Sequence, residues 1–352
     1  MEMTSADVDT SADVAVVGAG PAGLYAAYCA GFRGLSSVLV DALPEPGGQI
    51  AALYPEKKIY DVAGHPAVRG RELIDNLVAQ VAPFEPHYLL GRTAASLTSD
   101  FASGVTSDLT SDALAPDAGA GWTIGLEGGG RVRAGAVVIA GGLGRSVPRT
   151  MPCLRPYEGR GVAYHVPRLD EHRDRDVVIV GGGDSAVDWA LALAPIARSV
   201  TVVHRRSVFR AHEHSVKQMY AADIRVLTDA QVTACKGAER LEEVRVTSGE
   251  EELTLPVQAL VAALGFITSL GPVAEWGLRV ENRQIAVDRA MRTNLPRVYA
   301  VGDICTYEGR VPLVSVGFGE AATAANHAAV ELRPGSRLAP EHSSDREDVP
   351  LS

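Results

Sequence analysis

The sequence predicts an α/β chain in which one strand–turn–helix–strand unit is built twice. A short apolar run from Asp13 to Val17 ends in GAGPAG and leads into the helical stretch LYAAYCAGFRG. A second apolar run, SSVLVD, then ends at Asp41. The pattern restarts later as DRDVVIVGGGDSAVDWALALAPIARSVTVVHRR. Strand, glycine turn, helix and strand in that order form the βαβ unit of a Rossmann-like, three-layer nucleotide-binding domain. At 352 residues the chain also exceeds what one hydrophobic core usually organises, so two domains are expected.

The elements follow in order. The opening MEMTSADVDTSADV is acidic and polar, with no basic n-region, and reads as a leader ahead of the first strand of a cytoplasmic protein. After a Pro- and Gly-rich loop, RELIDNLVAQVAPF carries apolar residues at helical spacing. Short β-like pieces alternate with turns from about Tyr88 to Val138. Within them residues 98–120 are polar and of low complexity, as in a long hairpin loop or a disordered insert. The second βαβ unit is followed by IRVLTDAQVTACKG, LEEVRVTSG and EELTLPVQALVAALG as further strands. PRVYAVGDI, the helix SVGFGEAATAANHAAVEL and a polar tail then close the chain. The expected division is residues 1–145 plus 286–352 for one domain and 146–285 for the other.

Composition narrows the class. Apolar residues make up 46% and charged residues 22%, the balance of a soluble globular protein. No run of roughly 18 apolar residues occurs, so no membrane-spanning helix is expected. A net charge of −10 disfavours general nucleic-acid or anionic-membrane binding. Four cysteines (Cys29, Cys153, Cys235, Cys305) are scattered and make no C-x-x-C pair. No zinc ribbon and no dithiol motif is therefore readable from local spacing. His212 and His214 form an H-x-H pair with no third ligand nearby, and a metal site is not expected.

The two glycine turns carry the chemistry. In Gly18-x-Gly20-x-x-Gly23 the first glycine makes the tight turn and the second lets backbone amides approach a pyrophosphate. The third allows the helix to pack closely on the strand, and the helix N-terminus favours the negative charge. Asp41, at the end of the second strand, is placed to accept hydrogen bonds from ribose hydroxyls, which suits NAD or FAD. The second turn, Gly181-x-Gly183-x-x-Ala186, has its second strand end in His204-Arg205-Arg206. A carboxylate there would repel a 2′-phosphate, whereas guanidinium groups grip it, so the second nucleotide is expected to be NADPH, with Arg210 adding to the same patch.

Longer stretches carry a family resemblance. Val298 to Asp303 (VYAVGD) is similar to the strand of two-dinucleotide flavoenzymes whose Gly-Asp meets the ribityl chain of FAD. The segments Ala140 to Gly142 with Pro148, and Ala262 to Gly265, resemble the crossovers of the same superfamily. With PGGQIAALYPEKKIYDVAGHP, GGGDSAVDWAL, VHRRSVFRAHEHSV, GDICTYEGRV and GFGEAATAANHA, the chain resembles the thioredoxin-reductase-like class of ferredoxin–NADP reductases over nearly its whole length. That resemblance implies two Rossmann-like domains of the thioredoxin reductase type, FAD in the first and NADPH in the second, and a homodimer. It places Asp41, Gln49, Tyr54, Ala94, Ser146, Asp303 and Ser344 on FAD, with Tyr54 stacked on one flavin face and His342 of the C-terminal EHSS on the other. Asp41 stands where many members have Glu, and Ser146 where an aromatic residue is common.

The implied reaction passes a hydride from NADPH to the flavin and then single electrons to ferredoxin, with no side-chain acid or base in the central step. Ferredoxins are usually acidic, so a local basic surface is expected, from Lys57, Lys58, Arg69 and Arg71 or from Arg168, Arg173 and Arg175. Three other readings stand beside it. A reductase of similar build could serve flavodoxin, a quinone or another acceptor. A non-catalytic flavoprotein could sense NADPH. Thioredoxin reductase would need a C-x-x-C, which the stretch RGVAYHVPRLDEHRDRD lacks.

Overall fold

Val14, Ala15, Val16 and Val17 alternate between two cores. Val14 and Val16 join one apolar cluster, while Ala15 and Val17 join another on the opposite face of the same strand. A strand buried on both faces reads as a continuous apolar run, the signature of the middle of a parallel sheet. The computed structural model describes residues 8–101 and 121–339, so most of the low-complexity stretch and the C-terminal tail, with His342 and Ser344, lie outside the described residues.

In chain order the principal elements begin with β1 (Asp9–Val17), α1 (Pro21–Phe32), β2 (Ser37–Asp41), α2 (Gly48–Leu53) and α3 (Gly70–Val81). Next come β3 (His87–Leu90), β4 (Ala94–Ser99), β5 (Trp122–Leu126) and β6 (Arg131–Ile139). The second βαβ unit supplies β7 (Asp176–Gly181), α4 (Asp184–Leu193) and β8 (Ser199–Val203). It is followed by α5 (Glu213–Ala221), β9 (Arg225–Leu227), β10 (Gln231–Lys236), β11 (Glu243–Ser248), β12 (Glu251–Pro256) and β13 (Ala259–Ala263). β14 (Val298–Ala300) and α6 (Val314–Leu332) complete the set. Contacts divide the chain into two compact units. One holds residues 1–52, 58–145 and 268–352, and the other residues 53–57 and 146–267.

The first unit is a seven-stranded sheet in the order β3-β2-β1-β6-β5-β4, with β14 pairing the rear half of β6. β3, β2, β1, β6 and β14 pair in parallel, and β5 and β4 continue antiparallel. One face is covered by α1, α3 and α6. Small residues set the close approach of α1 to α6: Ala26, Ala27 and Ala30 are buried together with Ala321, Ala324 and Ala328. Leu73, Ile74, Leu77 and Val81 give α3 its buried stripe, at the helical spacing expected from the sequence. The other face packs against Trp122, Ile124 and Trp276.

β1 begins earlier than the sequence suggests. Asp9 to Ala12 read as part of a polar leader, yet they pair in register with Arg131 to Ala134, and Asp9 meets Arg131 at 3.4 Å. Strand pairing at a half-exposed end satisfies the backbone whatever the side chains are, so polarity alone misplaces the boundary.

The second unit repeats the plan on a smaller scale. A parallel sheet runs in the order Val162–Ala163, β13, β7, β8, β9. Val177 and Ile179 face α4 and α5, whose Ala186, Val187, Trp189, Leu193 and Met219 are buried there. Val178 and Val180 face a three-stranded antiparallel sheet, β10-β11-β12, through Val232, Val244, Val246 and Leu255. The second unit is therefore helix, parallel sheet and antiparallel sheet in three layers, while in the first the antiparallel strands continue the one sheet and bring Trp122, Ile124 and Leu126 against Ala15 and Val17. Among the described residues no helix is long and apolar enough to cross a membrane.

Candidate functional site: two glycine turns of opposite charge

The first turn joins β1 to α1. Gly18 has φ of +109°, and a Cβ there would lie 2.4 Å from the Ala140 carbonyl oxygen. A Cβ on Gly23 would lie 1.9 Å from the Gly18 oxygen. Gly20 is different: a Cβ would meet only the Gly48 Cα, at 3.8 Å. Two glycines close the turn, then, and the third leaves its backbone approachable at the start of α1, where Pro21 opens the helix.

Asp41 ends β2 beside this turn. Its Oδ2 accepts from the Ala19 N–H at 2.6 Å and its Oδ1 from the Leu43 N–H at 2.8 Å. Burial pushes its carboxyl above the usual range, against the pull of those two N–H groups. Each oxygen keeps acceptor capacity beyond these bonds. The PGGQ loop packs on the same turn. The Gly47 N–H donates to the Ala19 oxygen at 2.7 Å, and a Cβ on Gly48 would lie 2.9 Å from the Gly20 Cα, so Gln49 follows directly in the first turn of α2.

Asp303 arrives from the far end of the sequence. Gly302, at φ +74°, follows β14 and packs on the first turn of α1, since a Cβ there would sit 3.3 Å from the Ala22 Cβ. Behind it lies a buried polar cluster that the sequence reading missed. Glu320 of α6 accepts from the Gly302 N–H (2.7 Å), the Tyr307 hydroxyl (3.0 Å) and the Arg310 Nε (2.9 Å). Arg310 also reaches Asp303 Oδ1 at 3.3 Å. The side chains of Glu320 and Arg310 are 3% and 5% exposed. Burial, reinforced by Glu320, pushes both Tyr307 and Cys305 up to about 12. A carboxylate inside an alanine-rich helix was the available clue, because such a group is buried only when it has partners.

Gly18, Gly20, Gly23, Asp41, Gln49 and Asp303 are thus gathered at one end of α1. Ala94 is buried at the start of β4, 7% exposed. Ser146 lies on the short strand Arg145–Pro148. Tyr54 belongs to the stretch that clusters with the second unit, where its ring stacks on Trp189 at 6.4 Å and 11°.

The second turn has the same construction. A Cβ on Gly181 would lie 2.4 Å from the Ala263 oxygen and 3.0 Å from the Ala186 Cβ, while one on Gly183 would meet nothing within 4 Å. Gly182 has a role the sequence did not show: a Cβ there would strike the His204 ring at 2.1 Å. His204 is buried on the turn, with Nε2 3.1 Å from the Val208 oxygen and its ring 4.8 Å from that of Phe209. The Arg210 N–H donates to the Gly182 oxygen at 2.7 Å. These contacts fold the 205–210 loop back over the glycine turn. Arg205, Arg206, Ser207, Val208, Phe209, Arg210 and Asp229 line an open pocket of about 410 Å³.

His212 precedes α5, its N–H held by Asp184 Oδ1 at 2.9 Å; among the described residues no group of three potential metal ligands occurs. Several cations expected on a docking surface are engaged locally. Lys57 pairs with Asp188 (2.6 Å), Arg173 with Asp170 (2.7 Å) and Arg168 with Glu171 (3.9 Å).

The family model for pyridine nucleotide-disulphide oxidoreductases matches residues 12–328. The chain belongs to that family. Among curated relatives, the protein named ferredoxin–NADP reductase from Salinispora tropica is 54% identical over 335 residues, covering 95% of this chain and 98% of its own. One of the same name from Thermus thermophilus is 48% identical over 342 residues, covering 95% and 97%. The chain has the fold of solved thioredoxin reductases. The structure of T. acidophilum thioredoxin reductase superposes with a TM-score of 0.73 at 22% identity, covering 91% of this chain and 98% of its own. The Lactococcus lactis enzyme gives 0.71 at 24% identity, covering 91% and 99%.

Proposed function

We propose that this oxidoreductase carries FAD in its first unit and NADPH in its second, and exchanges electrons with ferredoxin. The observation that carries the reading is the contrast between two glycine turns of like geometry, one ending in Asp41 and the other in an arginine-lined pocket. Bound there, the flavin would take a hydride from the nicotinamide and pass electrons on singly.

The residues present fit both nucleotides. Backbone at Gly20 and Gly183 is open to a pyrophosphate, and each glycine precedes a helix N-terminus that favours the negative charge. Asp41 accepts ribose hydroxyls on lone pairs not used by Ala19 and Leu43. Arg205 and Arg206, with Arg210, neutralise a 2′-phosphate in the pocket they line. Asp303 is held by Arg310, itself paired with Glu320, directly after the Gly302 that packs on the first turn of α1, and by similarity it would meet the ribityl chain of FAD. By similarity to the ferredoxin–NADP reductases, Gln49, Tyr54, Ala94, Ser146 and Ser344 contact FAD and His342 covers a flavin face. The same similarity supports a homodimer and a cytoplasmic location.

The relatives' names support ferredoxin as the partner. Anaerobic titration of the flavin-loaded protein with NADPH and NADH, followed by turnover on ferredoxin, flavodoxin and quinone, tests the reading. Preferential bleaching by NADPH with multiple turnovers on ferredoxin is expected. Bleaching without turnover on any acceptor would favour an NADPH sensor instead.

A further inference from the structure

The four cysteines make no local pair in the sequence, but the fold sorts them. Cys29 and Cys305 are buried in the first unit, while Cys153 and Cys235 are half-buried in the second. Cys235 lies on β10, opposite Val244 of β11. Cys153 lies in the turn that precedes the 3-10 segment Arg155–Tyr157.

That turn is fastened to the end of β10 by three independent contacts. The Tyr157 hydroxyl donates to the Gly237 oxygen at 3.1 Å. The Leu241 N–H donates to the Arg160 oxygen at 2.9 Å. Leu154 and Leu241, both buried, sit in one apolar cluster against which both cysteines pack. Both cysteine side chains pack against that one cluster, and Cys153 is close enough to Cys235 to affect its titration. Two half-buried thiols facing one cluster, on two segments already held together, are placed for a disulfide to close with little backbone movement.

We infer that Cys153 and Cys235 form a reversible intrachain disulfide when the protein meets a peroxide. Hydrogen peroxide supplies the oxidising equivalents. Two S–H bonds and the O–O bond break, one S–S bond forms, and two waters leave. One sulfur attacks the peroxide first and becomes a sulfenic acid, releasing the first water. The other sulfur then displaces the hydroxyl, and its proton leaves with that group as the second water. A small dithiol reverses the step. The bond would tie the turn before the second βαβ unit to the antiparallel sheet behind it, closing a long stretch of chain that includes the NADPH pocket.

The test treats full-length, flavin-loaded protein with hydrogen peroxide, blocks remaining thiols under denaturing conditions, and maps peptides by mass spectrometry. The expected result is one cross-linked peptide pair joining Cys153 to Cys235. Cys29 and Cys305 should remain alkylated, and dithiothreitol should restore all four thiols. C153S and C235S should each abolish the cross-link. The thermal midpoint should rise on oxidation in the wild-type chain but not in C235S. Recovery of Cys153 and Cys235 as separate alkylated, sulfinic or sulfonic peptides from peroxide-treated wild-type protein would overturn the inference, as would a cross-link that persists in either variant.

Discussion

Replacing Arg205 and Arg206 together with alanine tests the assignment of the second nucleotide. Both side chains line the open pocket beside the Gly181–Ala186 turn and are exposed to solvent. Hydrogen bonds to a charged group contribute about 1.5–3 kcal/mol each, and solvent screening at an exposed site takes these toward or below the low end. Two arginines at roughly 1–1.5 kcal/mol each give about 2–3 kcal/mol. At about 1.4 kcal/mol per tenfold, that is a roughly 30- to 140-fold loss in NADPH affinity. NADH carries a hydroxyl in place of the phosphate, so its binding should change by no more than about threefold. Anaerobic titrations of the flavin-loaded variant with each nucleotide, and kcat/KM for each, read the two changes separately. The pocket retains Arg210 and the His204–Gly182 packing, which keeps the turn in place. Equal losses for both nucleotides, or undiminished NADPH binding, would show that these arginines do not hold a 2′-phosphate.

Three further outcomes follow from the first unit. Gly23→Ala should yield protein with little bound flavin, read as flavin absorbance per chain after purification, because its Cβ would fall 1.9 Å from the Gly18 backbone oxygen; full flavin content would contradict this. Arg310→Met should destabilise the chain by about 3–5 kcal/mol in urea unfolding, since it leaves Glu320 buried and unpaired, and adding Glu320→Gln should recover much of the loss. Asp41 has its carboxyl raised by burial, so the native state holds that proton longer than the unfolded chain does. Its contribution therefore falls as pH rises from the ordinary aspartate range through the raised value, and Asp41→Asn should flatten that slope in acid-range unfolding of flavin-stripped protein.

What the sequence revealed was local. A βαβ unit keeps strand, glycine turn, helix and terminal residue within a short span, so Gly18 to Asp41 and Gly181 to Arg206 could be read and their geometry anticipated. The alternation of Val14 to Val17 between two clusters, and of Val177 to Val180 between two others, follows from the period of a strand buried on both faces. What it did not reveal depends on contacts between distant segments. Glu320 meets Gly302 and Arg310 only because α6 folds back under the β14 turn. His204 reads as one member of a basic cluster, whereas its ring fills the space over Gly182. Cys153 and Cys235 look isolated until the turn before β7 is laid against β10. Asp9 to Ala12 look like a leader until β6 supplies their partners.

In the proposed function one chain takes electrons from NADPH into FAD and gives them to ferredoxin. Anaerobic stopped-flow mixing of the flavin-loaded protein with NADPH or NADH, followed by a second mix with oxidised ferredoxin, measures it directly. The account predicts rapid flavin bleaching with NADPH, much slower or weaker bleaching with NADH, and recovery of the oxidised flavin spectrum as ferredoxin is reduced. Equal bleaching by the two nucleotides, or a reduced flavin that does not reoxidise on ferredoxin, would contradict it.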